Sequence, residues 1–222
     1  MEAILNFIQA HKTYFDAAHA LTSVVNLVGW CAAAVILVSA RRRIESLSFG
    51  PFTFKLKQEA VEAATIAARA WQATVPDQKI DVPRIRATVE KAFAPEVANN
   101  IIGKSILWVD DNPANNLFAV RALRKLNLDV EQTTSTEAAI AAIERRSFDL
   151  VISDMGRGQD MRAGYDLLKQ IRDRGSQVPF FIFAGSDRPE FRREAATQGA
   201  QLSTNDMLEL IDQVVKYLGA QG

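Results

Sequence analysis

The chain has 222 residues, room for one ordinary domain with attachments, and its 26 lysines and arginines are balanced by 26 aspartates and glutamates. That balance argues against a nucleic-acid partner. One cysteine, Cys31, excludes an internal disulfide framework and a multi-cysteine zinc site, and with His11 and His19 as the only histidines the bulk of the chain has no histidine triad or zincin motif.

Residues 1–20 read as a short tail. From Leu21 to Ala40, LTSVVNLVGWCAAAVILVSA, there is no charged residue. At the helical rise this stretch covers about 30 Å, the thickness of a bilayer's hydrocarbon. It predicts one transmembrane helix over 21–40, with Asn26 as its one strongly polar member. Arg41, Arg42 and Arg43 follow it and only Lys12 precedes it, so the carboxyl-terminal side is expected in the cytoplasm and the tail outside. A cleaved signal peptide would carry its positive charges on the other flank.

Residues 44–100 read as a juxtamembrane connector. Ile44 to Lys57, IESLSFGPFTFKLK, alternates apolar and polar residues about Gly50-Pro51 and predicts a β-hairpin. Gln58 to Thr74 predicts an alanine-rich helix, whose small residues would permit close helix approach and self-association or simply favour helix. A short helix is expected over about Arg84 to Phe93. The tract EVANNIIGK leads on to the next strand. Its Gly103-Lys104-Ser105 has the tail of a P-loop but no glycine at Ala98, and a strand follows where a helix is required.

From Ser105 the pattern becomes regular. Strands SILWVD, DVEQTT, FDLVISD, PFFIFA and AQLS alternate with helices over Pro113–Lys125, Thr136–Arg146, Gly164–Arg174, Pro189–Gln198 and Met207–Leu218. Strands apolar on both faces and alternating with helices predict the α/β class, a five-stranded parallel doubly wound sheet over residues 104–222. Ligands of such sheets sit beyond the carboxyl ends of the strands at the switch in strand order. Asp110 and Asp111 end the first strand and Asp154 ends the third, so three carboxylates converge there. Their mutual repulsion is relieved by a hard divalent cation, and all-oxygen ligation suits Mg2+. With the cation in place Asp154 is a candidate nucleophile toward a phosphoryl donor.

Residues 104–218 resemble the receiver domain of bacterial two-component signalling. ILWVDDNPANN is similar to that family's acidic-pair segment and FDLVISDM to its phosphoacceptor strand. The resemblance implies that Asp154 accepts the phosphoryl group. It further implies that Asp110, Asp111, Asp154 and the backbone carbonyl of Gly156 hold Mg2+, and that a histidine kinase or another signalling protein is the partner. Together with the apolar segment it implies a single-pass protein of the bacterial inner membrane. Two departures stand out. The hydroxyl residue expected at the end of the fourth strand is replaced by Ala184, with Ser186 two positions late, and the lysine expected at the end of the fifth is missing, with Ser203 or Thr204 nearest. Losing that ammonium removes a charge-assisted contact to the phosphoryl group. The loop after Asp154 carries Arg157 and Arg162 close to the crevice, which read as solvated surface charge, with contact to an anionic ligand as the alternative.

The expectation is therefore a membrane-anchored, non-enzymatic pseudo-receiver acting through protein contacts or self-association as a homo-oligomer. A working receiver phosphorylated on Asp154 is the first alternative, and a metal-dependent enzyme or membrane-damaging effector the second. No DNA-binding segment follows the last helix, so the output is expected to run through partners or the membrane.

Overall fold

The computed structural model describes residues 53–185 and 188–220. The tail, the expected transmembrane segment 21–40 and most of the expected hairpin lie outside the described residues, as does Ser186. No helix among the described residues is long and apolar enough to cross a membrane.

The described part opens with a helix, α1, over residues 53–72. This corrects the hairpin expected over 44–57, whose second strand would have included residues 53–57. Those residues extend the alanine-rich helix instead. Adding a turn to an existing helix gains a hydrogen bond per residue, whereas an isolated hairpin is marginal. The apolar alternation that suggested a strand leaves Phe54 69% exposed on the helix. Next come α2 (Val82–Ala92), N-capped by the Asp81 side chain, and α3 (Pro95–Ile101), which has proline in its first turn. The tract read as a lead-in is thus largely helical, with Pro95 where proline is best tolerated.

The remainder alternates as expected. Strand β1 (Ser105–Val109) leads through a single 3-10 turn (Pro113–Asn116) to α4 (Leu117–Lys125), and β2 (Asp129–Thr133) to α5 (Thr136–Arg145). Then β3 (Leu150–Ser153) precedes α6 (Ala163–Asp173), β4 (Phe180–Phe183) precedes α7 (Pro189–Gln198), and β5 (Leu202–Thr204) precedes α8 (Met207–Gly219). All five strands are parallel, in the order β2-β1-β3-β4-β5. The order reverses between β1 and β3, and there the crevice opens.

Both faces of the sheet are covered, and strand alternation divides the core. Ile106 and Trp108 of β1 face a cluster shared with α4 and α8, whereas Leu107 and Val109 face one shared with α5 and α6. The three N-terminal helices belong to the first cluster. Ala60, Ala63, Ala64, Ala67 and Ala68 of α1 are buried in it with Ile85 and Val89 of α2 and Leu208 and Ile211 of α8. The small residues of α1 therefore bring helices together within the chain, and they are not an open surface for self-association. Polar contacts fasten this layer. Lys125 pairs with Glu59 at 2.6 Å, Thr88 donates to Asp212 at 3.2 Å, and the Asn100 amide donates to the Gly219 carbonyl at 2.9 Å.

Candidate functional site

Asp110, Asp111 and Asp154 meet at the carboxyl ends of β1 and β3, each offering an oxygen within 4.8 Å of the others'. The ladder sets their depth. The Asp110 amide donates to the Thr133 carbonyl and the Asp154 amide to the Val109 carbonyl, both at 3.0 Å. Local hydrogen bonds then orient the side chains. Asp110 accepts from the Asn112 amide at 2.7 Å and from the buried Asn116 side chain at 2.6 Å. Asp111 accepts from the Gly158 amide at 2.7 Å. An all-oxygen set held this way fits a hard cation such as Mg2+, since each carboxylate oxygen keeps a free lone pair beside its hydrogen bond. Gly156 lines the same crevice.

The loop after β3 departs from the expectation of solvated charge. Arg157 and Asp160 exchange backbone hydrogen bonds at 2.8 and 3.0 Å, with Gly158 at φ +58° between them. This tight turn leaves Gly158 N–H facing Asp111 and sends the Arg157 side chain inward, where it is 7% exposed. Its guanidinium donates to Asp154 Oδ1 at 2.6 Å, Ser153 Oγ at 2.8 Å, Thr136 Oγ1 at 3.0 Å and the Ala163 carbonyl at 2.7 Å. Arg157 is thus a buried cation fixed on the Asp154 carboxylate. Arg162 remains largely exposed, paired with Glu194 at 2.6 Å.

Burial dominates the electrostatics of Asp154 and pushes its carboxyl from 3.8 up to about 7. Arg157 pulls the other way, by its charge and its hydrogen bond, and the charges of Asp110 and Asp111 raise it further. A divalent cation would offset the causes that keep this carboxyl protonated.

The remaining expected residues divide. Ala184 and Ser203 line the crevice, and the Ser203 hydroxyl has no hydrogen-bond partner among the described residues. Thr204 does not belong with them: its buried hydroxyl donates to Glu209 and accepts from the Asp206 amide, serving the start of α8. The sequence reading also missed Trp71. This α1 residue lines the crevice, packs at a tilt of 40° on Phe183 with centroids 4.5 Å apart and donates from Nε1 to the Asn205 carbonyl at 2.6 Å. Nothing in its local sequence marks it, because its place depends on how α1 packs.

Comparison with known proteins agrees with this geometry. The model of the family described as "Response regulator receiver domain" matches residues 106–204. The sensor protein EvgS of Escherichia coli K12 is 28% identical over 130 residues, which are 58% of this chain and 10% of that protein. The chain thus spans about a tenth of that relative's length. Among solved structures, the chemotaxis response regulator CheY4 of Vibrio cholerae is 20% identical, covering 52% of this chain and 98% of its own, with a TM-score of 0.46. The HemR receiver domain of Leptospira biflexa is 19% identical over 54% of this chain and 97% of its own, with a TM-score of 0.48. Residues 106–204, with an acidic triad at the switch point of a parallel sheet, are thus similar to the receiver domain of response regulators.

Proposed function

We propose that this chain is a membrane-anchored pseudo-receiver: a signalling module that binds Mg2+ through Asp110, Asp111, Asp154 and the Gly156 carbonyl, holds little stable phosphoaspartate, and acts through protein contacts. The observation that carries the reading is the 2.6 Å pair between Arg157 and Asp154 Oδ1. The guanidinium is buried and pinned by three further acceptors, so releasing the half-buried carboxylate would leave a buried charge without its partner. Ala184 brings no hydroxyl to a phosphoryl oxygen, and no lysine among the described residues lines the crevice. The anchor rests on the uncharged stretch 21–40 and the arginines after it.

The test is to treat the full-length chain with Mg2+ and acetyl phosphate or beryllofluoride, reading intact mass and chemical shifts. Mg2+ is expected to shift the resonances of the acidic triad with no adduct on the wild type, and Arg157→Gln to gain a beryllofluoride response. An adduct of about 80 Da on wild type that Asp154→Asn abolishes would show a working receiver instead. Membrane fractionation of the same chain tests the anchor, which requires recovery in the membrane pellet after a high-salt wash.

A further inference from the structure

The crevice is larger than a metal ion and a phosphoryl group need. Its cavity measures about 770 Å3. Pockets for small organic molecules run from about 300 to 1,000 Å3 and combine apolar walls with a few convergent polar groups. That is the composition found here. The acidic triad forms one end. Away from it the wall is aromatic and apolar, built from Trp71, Phe183, Tyr165, Phe191 and Met161. Two of these side chains stand ready for contact, since Phe191 is 38% exposed and Met161 74%.

Two independent features point to a ligand. Ser203 and Tyr165 both line the cavity, are 6% exposed, and have hydroxyls without a hydrogen-bond partner among the described residues. Buried hydroxyls left unpaired are costly, and a ligand seated in the cavity can offer them a partner after a small side-chain rotation. The space itself has a local origin. Ala184 is small, and a Cβ added to Gly185 would meet none of the described residues within 4 Å, while Trp71 lines the same cavity. Trp71 lies outside the family-matched residues 106–204, so the α1 helix supplies a wall that the receiver segment lacks.

We infer that this cavity binds a nucleoside phosphate, its phosphate bridged by a divalent cation to Asp110, Asp111 and Asp154 and its base against the Trp71 and Phe183 wall. Aromatic faces accept any base by stacking. The Ser203 and Tyr165 hydroxyls supply hydrogen bonds, and Arg162, at the rim on Tyr165, can turn from Glu194 to the phosphate. Three carboxylates repel a bare phosphate, so binding is strictly cation-dependent. The inference rests on the metal site of the proposed function, and its test separates the two.

Equilibrium dialysis of the full-length chain in detergent, against radiolabelled ADP and GDP with Mg2+ or EDTA, measures it directly. Saturable binding of at least one of them is expected, at least tenfold weaker in EDTA and at least tenfold weaker in Trp71→Leu. Phe191→Ser, at an exposed position that does not threaten folding, is expected to weaken binding three- to tenfold. Inorganic phosphate competing as well as the nucleotide, or unchanged affinity in both wall variants, would overturn the inference. So would absence of nucleotide binding by a chain that still binds Mg2+ calorimetrically, and the receiver reading would then stand. Absence of Mg2+ binding as well would overturn both.

Discussion

At Asp154 the carboxyl's chemistry is set by its surroundings rather than by its identity. Its carboxyl is raised from 3.8 to about 7, chiefly by burial. The sign of the consequence follows from linkage. Between those values the folded chain holds a proton that the unfolded chain has released, so metal-free stability falls as pH rises through this window. The full shift corresponds to about 4 kcal/mol, and solvent at the crevice mouth reduces this to about 1–2 kcal/mol. Urea unfolding in EDTA at pH 4.5 and pH 8 is expected to show that loss for wild type and a flatter profile for Asp154→Asn, whose amide still accepts from Arg157. Mg2+ affinity is expected to rise with pH across the same window. Arg157 itself was open to misreading, because arginines in loops are usually solvated. Only the turn closed by Arg157 and Asp160 directs this one inward.

At the level of elements, the site depends on how closely α6 approaches the end of β3. Gly164, in the first turn of α6, donates to the Met155 carbonyl at 2.8 Å, and a Cβ there would lie 2.5 Å from the Asp154 carbonyl oxygen. No flexible side chain can yield, since the obstacle is backbone. Gly164→Ala is therefore expected to push α6 away, destabilise the fold by about 1–3 kcal/mol and weaken Mg2+ binding severalfold. Denaturant unfolding and Mg2+ calorimetry on the same sample would check both effects. Unchanged Mg2+ affinity would show that the triad tolerates displacement of α6. The strands and their helices were legible because each carries its own apolar pattern and punctuation, down to Pro189 at the start of α7 and Gly199 at its end. The hairpin was misread because residues 53–57 alternate like a strand, and their helical state comes from continuity with the alanine-rich segment after them.

In the molecule as a whole, residues from Lys55 onward form one compact unit, so α1 from that residue, α2 and α3 share the core of the five-stranded sheet. Ile85 of α2 is 2% exposed and shares a cluster with Trp108 of β1 and Val214 of α8. Ile85→Ala is expected to cost about 2–4 kcal/mol and to lower the stability of the whole unit in a single transition. Circular dichroism and near-ultraviolet signals followed through the same melt should coincide. Separate transitions would mean that the N-terminal layer unfolds independently. This layer also contributes Trp71 to the crevice, which links the segment after residue 52 physically to the acidic site.

The sequence by itself determined the parallel five-stranded sheet, because hydrophobic period and turn residues act locally and each strand carries its own share of the signal. It also determined the acidic triad, because Asp110, Asp111 and Asp154 end strands whose order follows from the fold class. Tertiary structure alone decided that Arg157 sits on Asp154, that Thr204 serves α8 instead of the site, and that Trp71 walls the crevice. Each of these depends on which groups meet across a closed loop or between packed helices. A residue's burial and its partners are properties of that meeting, and no local window of sequence contains them.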